Sequence, residues 1–219
     1  RVIFFAKKIN LKICYILAIL KFTTFYLFER TKNMADVSFT SRIRPVSCKD
    51  FNNIVSVIPK NKFVSHPWLI EDSKMGQNVF TTNICDCTSC LISNGQEALL
   101  MHLSPMQESN HFFSNVLIYL RNHLDLKDEN LQAILVGSKN TKKSLDIYNK
   151  FVDLLNNFGI PLSELKNGKT PTNVAYKTNT DEIYVSNLTI DKLLKKGDSA
   201  EDALDKSFEK IEISKTDSL

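Results

Sequence analysis

The chain of 219 residues predicts an α+β fold, with mixed, mostly antiparallel β-sheets and two or three amphipathic helices packed outside them. Three observations predict it. Short apolar runs flank an Asn-Gly turn, other segments carry apolar residues at helical spacing, and the two kinds of segment interleave without regular βαβ repetition. The hydrophobic fraction of 43% and the charged fraction of 24% are typical of a globular domain.

Four segments of the chain predict three helices and a strand around the Asn-Gly turn. Residues 48–58 have apolar side chains at helical spacing and end at Pro59, so they predict a helix. Residues 79–82 predict a strand. Residues 112–124 and 144–158 predict two amphipathic helices, the second ended by Gly159.

Branched residues predict further strands in the second half of the chain. Residues 131–136 form one such strand, which Gly137 interrupts, and residues 174–176 and 183–185 form two more around a turn. Ser199 with Asp202 predicts a helix start, followed by an apolar stripe at Leu204, Phe208 and Ile211. We therefore expect a main domain at 34–195 and a helical C-terminal tail at 196–219. The only Trp, Trp68, is expected to anchor the core.

The positive charge of the chain is concentrated at its beginning. Residues 1–33 contain seven Lys or Arg and one Glu, a net charge of +6, whereas the whole chain carries +4. The remaining residues therefore carry −2, which gives no basic excess for binding phosphate and argues against a nucleic-acid partner.

Three interpretations of residues 1–33 remain open. The apolar run Ile13–Leu20 is interrupted by Lys21, so it is short for a bilayer span, and no small-residue cleavage site follows it. The segment is a translated leader upstream of a start at Met34, a membrane anchor, or a helix of the fold. We expect a cytoplasmic protein that contacts a membrane only through this segment.

A cysteine-rich hairpin forms the centre of the chain. Apolar runs at 91–92 and 98–101 flank Asn94-Gly95, which suits the positive φ of a tight hairpin turn. Three cysteines precede or begin the first strand, and His102 ends the second. A hairpin brings such ends together, and a thiol beside an imidazole is the minimum for nucleophilic thiol catalysis.

The number and spacing of the cysteines argue against a disulfide framework. The count of five is odd, and Cys85, Cys87 and Cys90 lie within six residues, so reduced thiols are the simpler interpretation. These three thiols with His102 are an alternative zinc ligand set, although their spacing is tighter than a usual zinc knuckle. Cys85 and Cys90 are otherwise small buried apolar residues, or Cys85 protects Cys87 from oxidation.

These residues resemble the CheD family of chemoreceptor glutamine deamidases, whose members typically read T-x-x-x-G-S-C and then a strand ending in M-x-H-x-x-L-P. Thr81, Cys87 and His102 fall into that frame. Downstream, LQAILVGSKN, FGIP and NVAYKTNTDEIYV are similar to later family motifs, so the resemblance covers residues 79–188, about half the chain.

The resemblance implies hydrolysis of a protein glutamine side chain to glutamate, without a cofactor or metal. Cys87 would attack the carboxamide, His102 would move the proton, and Thr81 would orient the imidazole. It implies a protein substrate with an exposed glutamine, such as a chemoreceptor, and a CheC-like phosphatase as a further partner.

The chain departs from the family pattern beside the nucleophile, where Cys85-Asp86 replaces Gly-Ser. If the Asp86 side chain points inward, its carboxylate is expected to raise the pKa of the Cys87 thiol and disfavour the thiolate. Two alternatives to the deamidase therefore stay open: a binding module in signalling that kept the fold and lost the chemistry, and the Cys₃His zinc domain.

Overall fold

The computed structural model describes residues 42–56, 61–63, 70–73, 77–105, 109–137, 141–167 and 170–211. Within them, eleven strands form: β1 (Ile43–Pro45), β2 (Asn61–Phe63), β3 (Ile70–Ser73), β4 (Asn78–Ile84), β5 (Thr88–Ser93), β6 (Ala98–Leu103), β7 (Gln132–Gly137), β8 (Leu162–Lys166), β9 (Thr172–Lys177), β10 (Glu182–Asn187) and β11 (Glu209–Ile211). Five helices accompany them: α1 (Cys48–Ser56), α2 (Ser109–His123), α3 (Lys142–Asn157), α4 (Leu188–Lys195) and α5 (Ala200–Ser207).

The strands form two sheets. One has the order β1-β10-β9-β4-β2 and the other the order β11-β8-β7-β5-β6-β3. Most neighbours are antiparallel, and the parallel pairs are β1 with β10, β2 with β4, and β7 with β8. The predicted α+β class with mixed, mostly antiparallel sheets is confirmed.

The two faces of the six-stranded sheet are both buried, which explains why its central strands β5, β6 and β7 contain only buried residues. One face packs on the five-stranded sheet through an apolar cluster that we call the inter-sheet core. Its central members are Val79, Leu91, Leu100, Ile134, Val136, Leu165, Val174, Tyr176, Ile183 and Val185.

The opposite face of the six-stranded sheet is covered by α2 and α3. Leu99 and Met101 of β6 pack there with Val116 of α2 and Phe151 of α3. Because side chains alternate across a strand, each residue of β5 and β6 can be assigned to the inter-sheet core or to the helix side. The assignment decides which functional side chains can meet.

The predicted helices are confirmed with small shifts of their ends. The helix predicted at 144–158 begins earlier, because Thr141 is its N-cap and Ser144 completes a capping box with it. The helix predicted at 112–124 begins at Ser109. The helix predicted at 48–58 is observed over Cys48–Ser56, and residues 57–60 lie outside the described residues.

The C-terminal stripe is not a single helix. Ser199 caps α5 as predicted, since its hydroxyl accepts the N–H of Asp202. The helix ends at Ser207, however, and Phe208 leads into β11, which pairs antiparallel with β8. The predicted helical stripe through Ile211 is therefore wrong: the extended backbone of Phe208 diverts the chain to the edge of the sheet.

Two expectations fall outside the described residues: the role of Trp68 and the nature of residues 1–33. In the part of the chain that is described, no helix is both long and apolar enough to cross a bilayer.

Candidate functional site

Thr81 and His102 meet between the two sheets. Thr81 lies on β4 of the five-stranded sheet and His102 on β6 of the six-stranded sheet. The Oγ1 atom of Thr81 lies 2.7 Å from Nδ1 of His102, and the two residues are 0% and 1% exposed. Residues two apart on a strand share a face, and each of these side chains lies two residues after an apolar member of the inter-sheet core. Val79 precedes Thr81 and Leu100 precedes His102, so both Thr81 and His102 point into that core.

A β-bulge follows Thr81 on β4. The register against β9 shifts between Thr81 and Ile84, and Asn83 has a positive φ of 58°. The backbone N–H of Asn83 donates to Oδ1 of Asn173 at 3.0 Å, which holds the bulge. The extra residue lets both Thr81 and Ile84 face the inter-sheet core and re-aims the chain into the loop that carries Cys87.

Cys87 lies in the loop of residues 85–87 between β4 and β5, half-buried and packed against the inter-sheet core. Thr88 pairs with Leu103 and Ser89 with His102, so the register continues with Cys87 beside Ser104. Cys87 and His102 are therefore diagonal neighbours on one face, a relationship that places their backbones about 7–8 Å apart. Of the predicted site residues, Thr81 and His102 are thus in contact, and Cys87 packs against the same inter-sheet core.

Opposing interactions set the pKa of the Cys87 thiol. Burial is the largest and raises the pKa, and the charges of Asp86 and Cys85 raise it further. A hydrogen bond from Ser104 and one from the backbone N–H of Cys85 lower it. The net pKa is raised. The side chain of Asp86 is exposed and does not point inward, yet its charge still contributes to the increase.

Cys90 lies on the other side of the six-stranded sheet. It is fully buried among the side chains of α2 and α3, where burial raises the pKa of its thiol. Cys87 and His102 face the inter-sheet core instead, so the sheet separates them from Cys90. The three thiols and the imidazole cannot surround one zinc ion, and no group of three or more His, Cys, Asp or Glu suited to a metal occurs among the described residues.

Two residues at the site were not predicted from the sequence. The signal for Ser104 is its position two residues after His102, which places it on the same face of the hairpin as the imidazole. Asn167 donates from Nδ2 to the carbonyl of Ile84 at 2.5 Å and so ties the end of β8 to the start of the cysteine loop. No local pattern in its polar segment marks Asn167.

The four described cysteines, Cys48, Cys85, Cys87 and Cys90, all carry free thiols. A scan of the chain against models of known protein families and a search among curated proteins both return no match.

Proposed function

We propose that this protein is a cysteine hydrolase that deamidates glutamine side chains of another protein, with Cys87 as nucleophile, His102 as acid and base, and Thr81 as orienting residue. The observation that carries the proposal is the buried hydrogen bond between Thr81 and His102, on the face to which Cys87 also belongs. The resemblance of the surrounding motifs to the CheD family, from which the role of Thr81 is taken, also supports the proposal.

The acylation half of the reaction begins with proton transfer from the Cys87 thiol to Nε2 of His102. The sulfur then attacks the carboxamide carbon of glutamine, and the carbonyl electrons move to its oxygen. As the tetrahedral intermediate collapses, His102 gives the proton to the departing nitrogen. Ammonia leaves and a thioester between Cys87 and the substrate remains.

Hydrolysis of the thioester completes the cycle. His102 accepts a proton from water while the water oxygen attacks the thioester carbon. The carbon–sulfur bond then breaks, the sulfur leaves as a thiolate, and His102 returns the proton to it. The sum of the two halves is glutamine plus water giving glutamate plus ammonia.

Thr81 fixes the tautomer that this cycle requires. If Nδ1 of His102 carries the proton and donates it to Oγ1 of Thr81, Nε2 keeps the lone pair that accepts the thiol proton in the proposed cycle. The short distance of 2.7 Å supports this hydrogen bond, and the burial of both residues keeps water from replacing it.

The substrate class follows from the same resemblance. We propose a signalling protein with an exposed glutamine, similar to a chemoreceptor, and a CheC-like phosphatase as a further partner. The free thiols support a reducing compartment such as the cytoplasm, with membrane association depending on residues 1–33.

The second candidate function is a signalling module that binds such a partner without turning it over. The raised pKa of Cys87, to which Asp86 contributes, favours it, because a protonated thiol is a poor nucleophile.

Incubation of the protein with glutamine-containing receptor peptides in oxygen-18-labelled water separates the two functions. A deamidase releases ammonia and places one heavy oxygen in the new glutamate, and Cys87→Ser abolishes both. Peptides that bind but stay unlabelled with the unmodified protein would overturn the deamidase and leave the binding module.

A further inference from the structure

We propose that Ser104 is a positioning residue of this site, and that its hydroxyl donates a hydrogen bond to the Cys87 sulfur that favours and orients the thiolate. The chemistry of Cys87 depends on an anionic sulfur, so a donor aimed at that atom acts on every step in which the sulfur is negative. Ser104 belongs neither to the motif of Thr81, Cys87 and His102 nor to any apolar pattern of the hairpin.

The register of the hairpin places Ser104 beside Cys87. The pair Thr88–Leu103 is the last pair of the β5–β6 ladder, and Cys87 and Ser104 are the residues that follow on either side of it. Cys87 packs on the inter-sheet core, and alternation puts Ser104 on that same face, two residues after His102. The pairing of β5 with β6 therefore brings the backbones of Cys87 and Ser104 next to each other.

Ser104 is well placed to make this hydrogen bond strong. It is 9% exposed, so water competes little for its hydroxyl, and a donor to an anion is stronger than one between neutral groups. The bond favours the thiolate because a hydroxyl donates its proton more strongly to the charged sulfur than to the neutral thiol.

Most of the other influences on the Cys87 sulfur disfavour the thiolate, and the Ser104 hydroxyl opposes them. Burial, the Asp86 carboxylate and the Cys85 thiol all act against the thiolate, and the backbone N–H of Cys85 acts in its favour. His102 lies on the same face from β6. Ser104 thus supplies the largest of the interactions that favour the thiolate, and offsets the carboxylate that stands where the related motif has serine.

The test is the pH dependence of Cys87 alkylation in the full chain, resolved by mass spectrometry. Ser104→Ala is expected to slow labelling near neutral pH by about tenfold and to move the rate profile to higher pH, which corresponds to a loss of about 1.4 kcal/mol of thiolate stabilisation. Ser104→Thr keeps the hydroxyl and is expected to restore most of the rate.

Ser89→Ala is the matched control, because Ser89 is buried on the same face of the hairpin, opposite His102. The proposal is overturned if Ser104→Ala labels at the original rate, or if both alanine variants slow labelling equally.

The consequence for turnover rests on the proposed deamidase: Ser104→Ala should lower kcat more than it changes KM. Alkylation of Cys87 needs no substrate, so failure of the role proposed for Ser104 can be distinguished from failure of the proposed function. A shifted labelling profile without any deamidation by the unmodified protein refutes the function alone, whereas deamidation with an unshifted profile refutes the role of Ser104 alone.

Discussion

Thr81 and His102 are 21 positions apart in the chain and belong to different sheets, yet their side chains share a hydrogen bond of 2.7 Å in the inter-sheet core. A buried imidazole nitrogen costs free energy unless it is hydrogen-bonded, so the bond with Thr81 lowers the cost of burying Nδ1 of His102. The same bond fixes the ring orientation. One contact thus serves both the packing of the two sheets and the chemistry proposed for the site.

Replacing Thr81 by Val removes this hydrogen bond while keeping the shape of the side chain. We expect the free energy of unfolding to fall by about 1–3 kcal/mol, because a buried ring nitrogen loses a partner. The rate of deamidation is expected to fall by about a hundredfold, because the imidazole of His102 loses the orientation that proton transfer requires. Urea unfolding and ammonia release measure the two effects.

Thr81→Ser is the control, since it retains the hydroxyl and removes only a methyl group. It should keep most of the activity. An equal loss of activity in the Ser and Val variants would show that packing by the methyl group, and not the hydrogen bond, is what His102 requires.

Asp86→Asn should speed the alkylation of Cys87 near neutral pH. The Asp86 carboxylate raises the thiol pKa, and the alkylation rate follows the thiolate, so removing the charge moves the rate profile to lower pH. Because Asp86 is exposed, we expect a gain of no more than about fivefold that shrinks as salt is added.

Asp153→Asn provides the comparison for Asp86→Asn. Asp153 is an exposed carboxylate on α3, on the helix side of the six-stranded sheet. This variant should leave the profile in place. If both variants accelerate labelling alike, the effect belongs to net charge and not to the position of Asp86.

A second buried network joins the sheets at the other end of the hairpin. The Tyr176 hydroxyl lies 2.5 Å from Oγ of Ser93 and donates to Oδ1 of Asp181 at 2.9 Å, and Asp181 pairs with Arg42 at 2.5 Å. Burial raises the pKa of Tyr176 above its usual range, so the hydroxyl stays protonated and can donate.

Tyr176→Phe should therefore lower the free energy of unfolding by about 1–3 kcal/mol in urea titrations. Tyr184→Phe on the neighbouring strand is the reference, since the Tyr184 hydroxyl bonds to Glu182 in a half-buried position. A loss for Tyr184→Phe as large as that for Tyr176→Phe would contradict the role assigned to the inter-sheet network.

Much of the fold was predictable because its signals are local. The Asn94-Gly95 turn and its flanking apolar runs predict β5 and β6, and Gly95 has the positive φ of 91° that such a turn requires. Helical spacing likewise predicts α2 and α3. Strand β5 is longer than the apolar run that predicts it. Ser89 and Ser93 are buried polar residues of this strand, and they interrupt the apolar pattern in the sequence.

The rest of the fold depends on pairing between distant segments. The edge strands β1, β2 and β11 have three residues each, too few for a periodic pattern, and β1 is stabilised by its parallel register with β10. The division of the strands into two facing sheets is also invisible in the sequence. Without it, the opposite orientations of Cys87 and Cys90 could not be derived.

The candidate site, too, has a part that local sequence predicts and a part that only tertiary structure shows. Hairpin geometry alone predicts that Cys87 and His102 lie near each other, and the family resemblance adds Thr81. Its contact with His102 needs the facing sheet. Asn167 comes from a segment more than sixty residues beyond the hairpin, so only tertiary structure connects it to Ile84.

The most direct test of the account is site-resolved alkylation of Cys87 across pH in the unmodified chain, His102→Ala and His102→Gln. If His102 activates the thiol, both variants label Cys87 more slowly near neutral pH, and all three proteins converge at high pH, where the thiol ionises unaided. His102→Gln keeps a hydrogen-bonding side chain next to Thr81, so slower labelling in this variant reports the loss of the imidazole and not the loss of the fold. Labelling of Cys87 at the same rate in all three proteins at every pH would contradict the Cys87–His102 pair and, with it, the proposed deamidase.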